Sequence, residues 1–169
     1  GADITRVADS TGAELDFTIV KTMMRIDLPK PLPPGESFKF EVDWNYQINN
    51  SAVASGRAGA EYFEEDDNFI YEVAQWFPRM VAFTDATGWQ HKQFLGSGEF
   101  TLELGNYLVR ITAPDDHIVA ATGVLQNAGE VLNEAQQKRW ERSKTASVPM
   151  FVVTPEEAAE NQKEKSDGI

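Results

Sequence analysis

The chain has 169 residues, the size of one ordinary domain, and its 41% hydrophobic and 11% aromatic content is enough for a core and excludes a disordered composition. Fifteen basic against 27 acidic residues leave a net charge of −12, so a polyanion such as nucleic acid is repelled rather than bound. The absence of cysteine removes disulfides, thiolate metal sites and cysteine nucleophiles together, and no apolar run approaches the roughly 18–20 residues that span a bilayer.

The opening residues carry no basic n-region followed by an apolar h-region, so no signal peptide is visible there. Leu15, Phe17 and Ile19 alternate with polar neighbours over residues 15–20, and Met24, Ile26 and Leu28 do the same, which predicts two strands. Pro29, Pro31, Pro33 and Pro34 follow; they lack ladder N–H groups and mark a connection. The clearest strand is residues 38–46. Phe38, Phe40, Val42, Trp44 and Tyr46 share one face, and Lys39, Glu41, Asp43 and Asn45 share the other. Strict alternation means one covered and one wet face, as in an antiparallel sheet. Three strands with short links predict a meander.

Residues 47–59 are small and polar and read as a loop. The charge run Glu61, Glu64, Glu65, Asp66, Asp67 reads as a solvated turn ahead of a strand over 69–76. Residues 77–94 are irregular and aromatic-rich. Gly96-Ser97-Gly98 marks a turn or bulge. Alternation at Phe100, Leu102 and Leu104, then Gly105-Asn106, then Tyr107, Val109 and Ile111 predicts a hairpin, since both turn residues tolerate positive φ. Pro114-Asp115-Asp116 interrupts the ladder, which resumes over 118–125.

The last third changes character. Asn133, with Gln136 at the capping-box position, predicts a helix to Arg142 with Glu134 and Lys138 paired four apart. Residues 147–153 read as a strand. Thr154-Pro155-Glu156-Glu157 supplies a capping hydroxyl, a proline at the first helical position and a glutamate at the third. The fold expected is mainly β: an antiparallel sandwich or saddle-like domain over 1–160 with one or two short helices in its C-terminal third. Residues 161–169 read as a linker.

Catalytic patterns are scarce. His91 and His117 lie in different segments and read as exposed loop histidines, and no His-Glu-x-x-His places two imidazoles on one helical face. There is no Gly-x-Ser-x-Gly elbow, and the glycines do not lead into a phosphate-binding helix start. No catalytic or metal-ligating residue is assigned, and no cofactor is expected on this chain.

The most unusual stretch is residues 74–91, which sets Trp76, Phe77, Phe83 and Trp89 beside Gln75, Arg79 and Asp85. Aromatics in a long connection must plug a core end or form an interface. Trp76, Arg79, Asp85 and Trp89 read as the structural part of this loop, with Arg79 and Asp85 bracing it as an ion pair. Gln75 can donate and accept, which suits a peptide backbone or an amino terminus. By itself it reads equally as a satisfied edge glutamine.

The same stretch carries a resemblance. EVAQWFPRMVAFTDATGWQHKQFLGSGEFTLELGNYLVRITAPDDHIVAATGVLQN resembles the N-terminal β-domain of bacterial aminopeptidase N-type zinc metallopeptidases, gluzincins of family M-one. LPKPLPPGESFKFEVDWNYQI is similar to that domain too, and VLNEAQQKRWERSKTASVPMFVVTPEEAAEN resembles an insertion of this bacterial branch. Familiar members show Gln, an Arg, then Phe-Pro-Cys-x-Asp-x-Pro; here Gln75, Arg79, Phe83 and Asp85 occupy comparable places without the Pro-Cys or the final Pro. The resemblance implies a non-catalytic domain that caps one side of the active-site cleft. It implies Gln75 as the contact to the substrate's N-terminal end. It also implies that zinc and catalysis belong to a following domain, because the zinc ligands, the general-base glutamate, the Gly-x-Met-x-Asn motif and the transition-state tyrosine are not in this sequence. The partners so implied are that catalytic domain and, through it, a peptide substrate; an exported or periplasmic location rests on the resemblance alone. The alternative is a stand-alone β-sandwich module binding glycans or proteins through the aromatics of residues 76–89.

Overall fold

The structure is a computed structural model that describes residues 2–54, 56, 58–65, 67–97 and 101–163. The chain is mainly β; the described residues form four two-stranded antiparallel sheets and three short helices toward the C-terminus. It divides into two compact units, Gly1–Glu61 with Phe69–Tyr107, and Tyr62–Asn68 with Leu108–Ile169.

In the first unit, β1 (Asp3–Asp9) pairs with β4 (Phe40–Asn45), and β2 (Phe17–Val20) pairs with β3 (Met23–Ile26). β4 is the strand that the alternation of residues 38–46 announces: Val42 and Trp44 are half-buried while Glu41, Asp43 and Asn45 face out. Its partner β1 has no counterpart in the alternation. A bulge between Ile4 and Arg6 is the reason, because the register sets Ile4 against Trp44 and Val7 against Val42. One extra residue therefore brings two apolar side chains three apart onto the same face and hides the period of two. Val7 and Ala8 are buried, and Leu15 joins them as its N–H bonds the Val7 carbonyl at 3.0 Å. Arg6, on the opposite face, reaches Glu41 at 3.2 Å and Asp43 at 3.3 Å.

The expected meander is not formed. β2 and β3 make a tight hairpin around Lys21, whose φ is +56°, but β4 lies beside β1 instead of β3. The prolines at 29, 31, 33 and 34 stiffen the link and offer no ladder N–H, so the chain leaves β3 without pairing back onto it. β5 (Gly59–Phe63) and β6 (Asn68–Glu72) form a further pair. The strand expected over 69–76 thus stops at Glu72, and Glu61 lies in a strand rather than a turn. Glu64, Glu65 and Asp67 make the turn; Asp66 lies outside the described residues.

β7 (Phe83–Thr84) and β8 (Gly88–Trp89) close a miniature hairpin with Gly88 at φ +70°. The hairpin expected around Gly105-Asn106 is absent: neither residue takes the positive φ that such a turn uses, and Leu102 bridges Val81 instead. Phe100 and Gly98 lie outside the described residues. Residues 118–125 and 147–153 also lack strand pairing. In these stretches the apolar alternation is present, but no neighbouring strand takes it up.

The second unit carries α1 (Ala128–Val131), α2 (Glu134–Ser143) and α3 (Pro155–Asn161). Both expected capping boxes are made, Asn133 with Gln136 and Thr154 with Glu157. The two helices are clamped together by Arg139. Its Nε donates to the Val152 carbonyl at 2.8 Å, and its Nη2 pairs with the Glu157 carboxylate. Val152 is thus tied to a helix through a side chain, and residues 147–153 have no strand partner. The expected linker begins inside α3, and residues 164–169 lie outside the described residues. No helix among the described residues is long and apolar enough to cross a membrane.

Candidate functional site

Gln75 follows β6 by three residues and is exposed, with a φ of +52°. Left-handed backbone is uncommon outside glycine and costs on the order of 1–3 kcal/mol, so surrounding contacts must hold it. Those contacts begin at the next residue. The Trp76 carbonyl accepts a hydrogen bond at 3.1 Å from the indole N–H of Trp44, on β4. The two tryptophan rings lie 6.1 Å apart, and Trp76 meets Phe77 edge-on at 4.9 Å. Phe77 in turn meets Tyr107 edge-on at 5.8 Å. Four aromatic rings thus run in series from the sheet to Tyr107.

Arg79 closes this series. Its Nη2 donates to the Glu103 carbonyl at 3.3 Å and to the Tyr107 hydroxyl at 3.2 Å. Its guanidinium carbon lies 5.7 Å from the centre of the Phe77 ring and 5.6 Å from that of Tyr107, a spacing at which a cation is attracted to the ring faces. The expected pairing of Arg79 with Asp85 is not formed; no ion pair among the described residues joins them. The guanidinium is taken up instead by a carbonyl, a hydroxyl and two ring faces, contacts that its planar, multi-donor group can make together.

Asp85 and Trp89 belong to the β7–β8 hairpin. Asp85 is exposed in its turn, and Trp89 packs edge-on to Phe83 at 5.2 Å. Gln90 fastens the hairpin: its side-chain amide bonds the Gly88 carbonyl at 3.1 Å and the hydroxyls of Thr84 and Thr87, and its backbone N–H bonds Ala82 at 2.9 Å. The Phe83 N–H donates to the Glu103 carboxylate at 3.3 Å, so residues 101–107 run beside residues 79–83.

Of the five residues singled out in the sequence, Gln75, Trp76 and Arg79 therefore form one group, and Asp85 and Trp89 another. Trp44, Glu103 and Tyr107 were not singled out, yet each holds a bond in one of the groups. For Trp44 a signal existed: an indole on the covered face of a strand needs a partner for its N–H. Glu103 and Tyr107 carried no such signal, because their roles depend on a chain crossing more than twenty residues distant.

The histidines behave differently from each other. His91 is exposed, with Nδ1 at 2.9 Å from the Trp89 carbonyl. His117, expected to be exposed, is half-buried beside Asp116 with Nδ1 and carboxylate 2.6 Å apart. No group of three or more potential metal ligands converges among the described residues. An open depression of about 430 Å³ is lined by Ser10, Phe38, Lys39, Phe40 and Glu41, none of which belongs to either group.

Chemically, the Gln75 group offers one exposed amide beside a half-buried aromatic wall. It has hydrogen-bonding capacity and shape. Comparison with known proteins yields no matching family model, no matching curated protein and no matching solved structure.

Proposed function

We propose that this chain is the non-catalytic N-terminal β-domain of an aminopeptidase N-type zinc metallopeptidase. In this reading it caps one side of the active-site cleft, and Gln75 contacts the N-terminal end of the bound peptide. The observation that carries the reading is Gln75 itself, an exposed amide held at φ +52° within the segment that resembles that family. An amide so placed can accept from a peptide ammonium group and donate to a backbone carbonyl. Trp76 and Phe77, half-buried beside it, supply a wall that shields such a contact from water.

Zinc chemistry belongs in this reading to a following catalytic domain, because the family's His-Glu-x-x-His ligand pattern is not among these residues. The part of this chain is to bind and orient. Exposed apolar side chains fit a domain that rests against another body: Ile70 and Phe69 on β6 are 55% and 45% exposed, and Ile19 on β2 is 47% exposed. A stand-alone glycan- or protein-binding module is the second reading, favoured by the 57% exposure of Trp89.

The test is Gln75→Ala in the whole enzyme. Loss of a hydrogen bond to a charged amino terminus is worth about 1.5–3 kcal/mol, so KM for a peptide with a free amino terminus should rise about tenfold or more. Unchanged KM and kcat would remove the substrate-contact role.

A further inference from the structure

We infer that Arg79 and Trp44 are positioning residues for Gln75, a clamp that fixes its left-handed backbone and so aims its amide. The inference rests on the proposed substrate contact for its functional consequence, but its structural half stands alone. Gln75 makes φ +52° without glycine, so the conformation must be imposed from outside. Two attachments follow it within four residues. On one side, the Trp44 indole N–H holds the Trp76 carbonyl at 3.1 Å, which fixes the peptide plane immediately after Gln75–Trp76 to a paired strand. On the other, Arg79 bridges the Glu103 carbonyl and the Tyr107 hydroxyl at 3.3 and 3.2 Å while lying against the Phe77 and Tyr107 rings. Between these anchors lies Pro78, whose own φ is locked by its ring. The chain from 76 to 79 has little freedom left, and the turn it must make is taken up at Gln75. Asp85, the partner that spacing suggests for Arg79, sits in the β7–β8 turn and leaves the guanidinium to the carbonyl and phenol.

The first arm of the test uses this chain. Positive φ gives a strong intraresidue Hα–HN cross-peak in NMR, and Lys21 at φ +56° in the β2–β3 hairpin is an internal control. Trp44→Phe and Arg79→Gln should each weaken the Gln75 cross-peak and leave that of Lys21 intact, with Arg79→Lys partly restoring it. An unchanged Gln75 cross-peak in Trp44→Phe and Arg79→Gln overturns the clamp. Should Arg79→Gln lose both signals by unfolding, Arg79→Lys decides: it must weaken Gln75 more than Lys21, and equal or absent weakening overturns the clamp.

The second arm uses the whole peptidase. Arg79→Gln should raise KM for a free-amino peptide about tenfold, with kcat changed less than about twofold, as misplacement of a binding group does. In the Gln75→Ala background the same change should add little, because residues acting through one another are not additive. A full additional tenfold there overturns the positioning role. If Gln75→Ala raises KM and Arg79→Gln does not, the clamp fails while the substrate contact stands. If Gln75→Ala has no effect, the contact itself fails, whatever the first arm shows.

Discussion

At Gln75 the backbone adopts φ +52° and the side chain is exposed, so the cost of the conformation is returned by nothing the amide does within this chain's described contacts. Glycine takes left-handed φ without that cost, although it loses more freedom on folding. Gln75→Gly should therefore leave the melting temperature unchanged or raise it, whereas glycine at an ordinary strand position lowers stability by about 0.5–1 kcal/mol. Thermal denaturation followed by circular dichroism checks this, and a marked loss of stability would show that the Gln75 side chain itself supports the fold. The sequence makes Gln75 and Arg79 visible as polar residues among aromatics. It does not show the positive φ, and it misdirects Arg79 toward Asp85. Nearness in sequence suggested that pair; the actual partners, Glu103 and Tyr107, are brought in by a crossing that no local pattern encodes.

Among the elements, those specified by their own residues were legible and those specified by a partner were not. The caps of α2 and α3 need only residues three apart, and Asn133, Gln136, Thr154 and Glu157 make both boxes as their spacing predicts. The alternation of residues 38–46 gives β4 for the same reason. β1 escaped because a bulge spoils its period, and the strands expected at 107–111, 118–125 and 147–153 fail because alternation alone supplies no neighbour. The Glu157 carboxyl is held below the ordinary glutamate value of 4.5 first by Arg139 and then by the Thr154 N–H. A lowered folded pKa means that this contribution is complete above that ordinary value and is lost as pH falls through the lowered one. Helix content of the wild type should thus decline in acid, in a window below pH 4.5, by more than that of Glu157→Gln. Identical acid titrations of the two proteins, read by circular dichroism at the helix minimum, would mean that the Arg139–Glu157 clamp does not couple to helix stability.

For the molecule as a whole, the mainly β, antiparallel character and the late helices follow from alternation and capping alone, and the structure has them. Among the described residues the buried hydrophobic side chains are Val7, Ala8, Leu15, Ala82 and Ala128, while larger ones on β2 and β6 stay exposed. Composition is sufficient for a core, yet the apolar faces it furnishes are left open in part, which accords with a domain that packs against another body. The proposed function makes the chain one wall of a zinc aminopeptidase. Sequencing the reading frame past Ile169 tests it most directly. Translation is expected to continue into a domain carrying His-Glu-x-x-His and a further glutamate downstream. A stop codon directly after Ile169, or a following domain without a zinc-peptidase ligand pattern or any remnant of one, would contradict it.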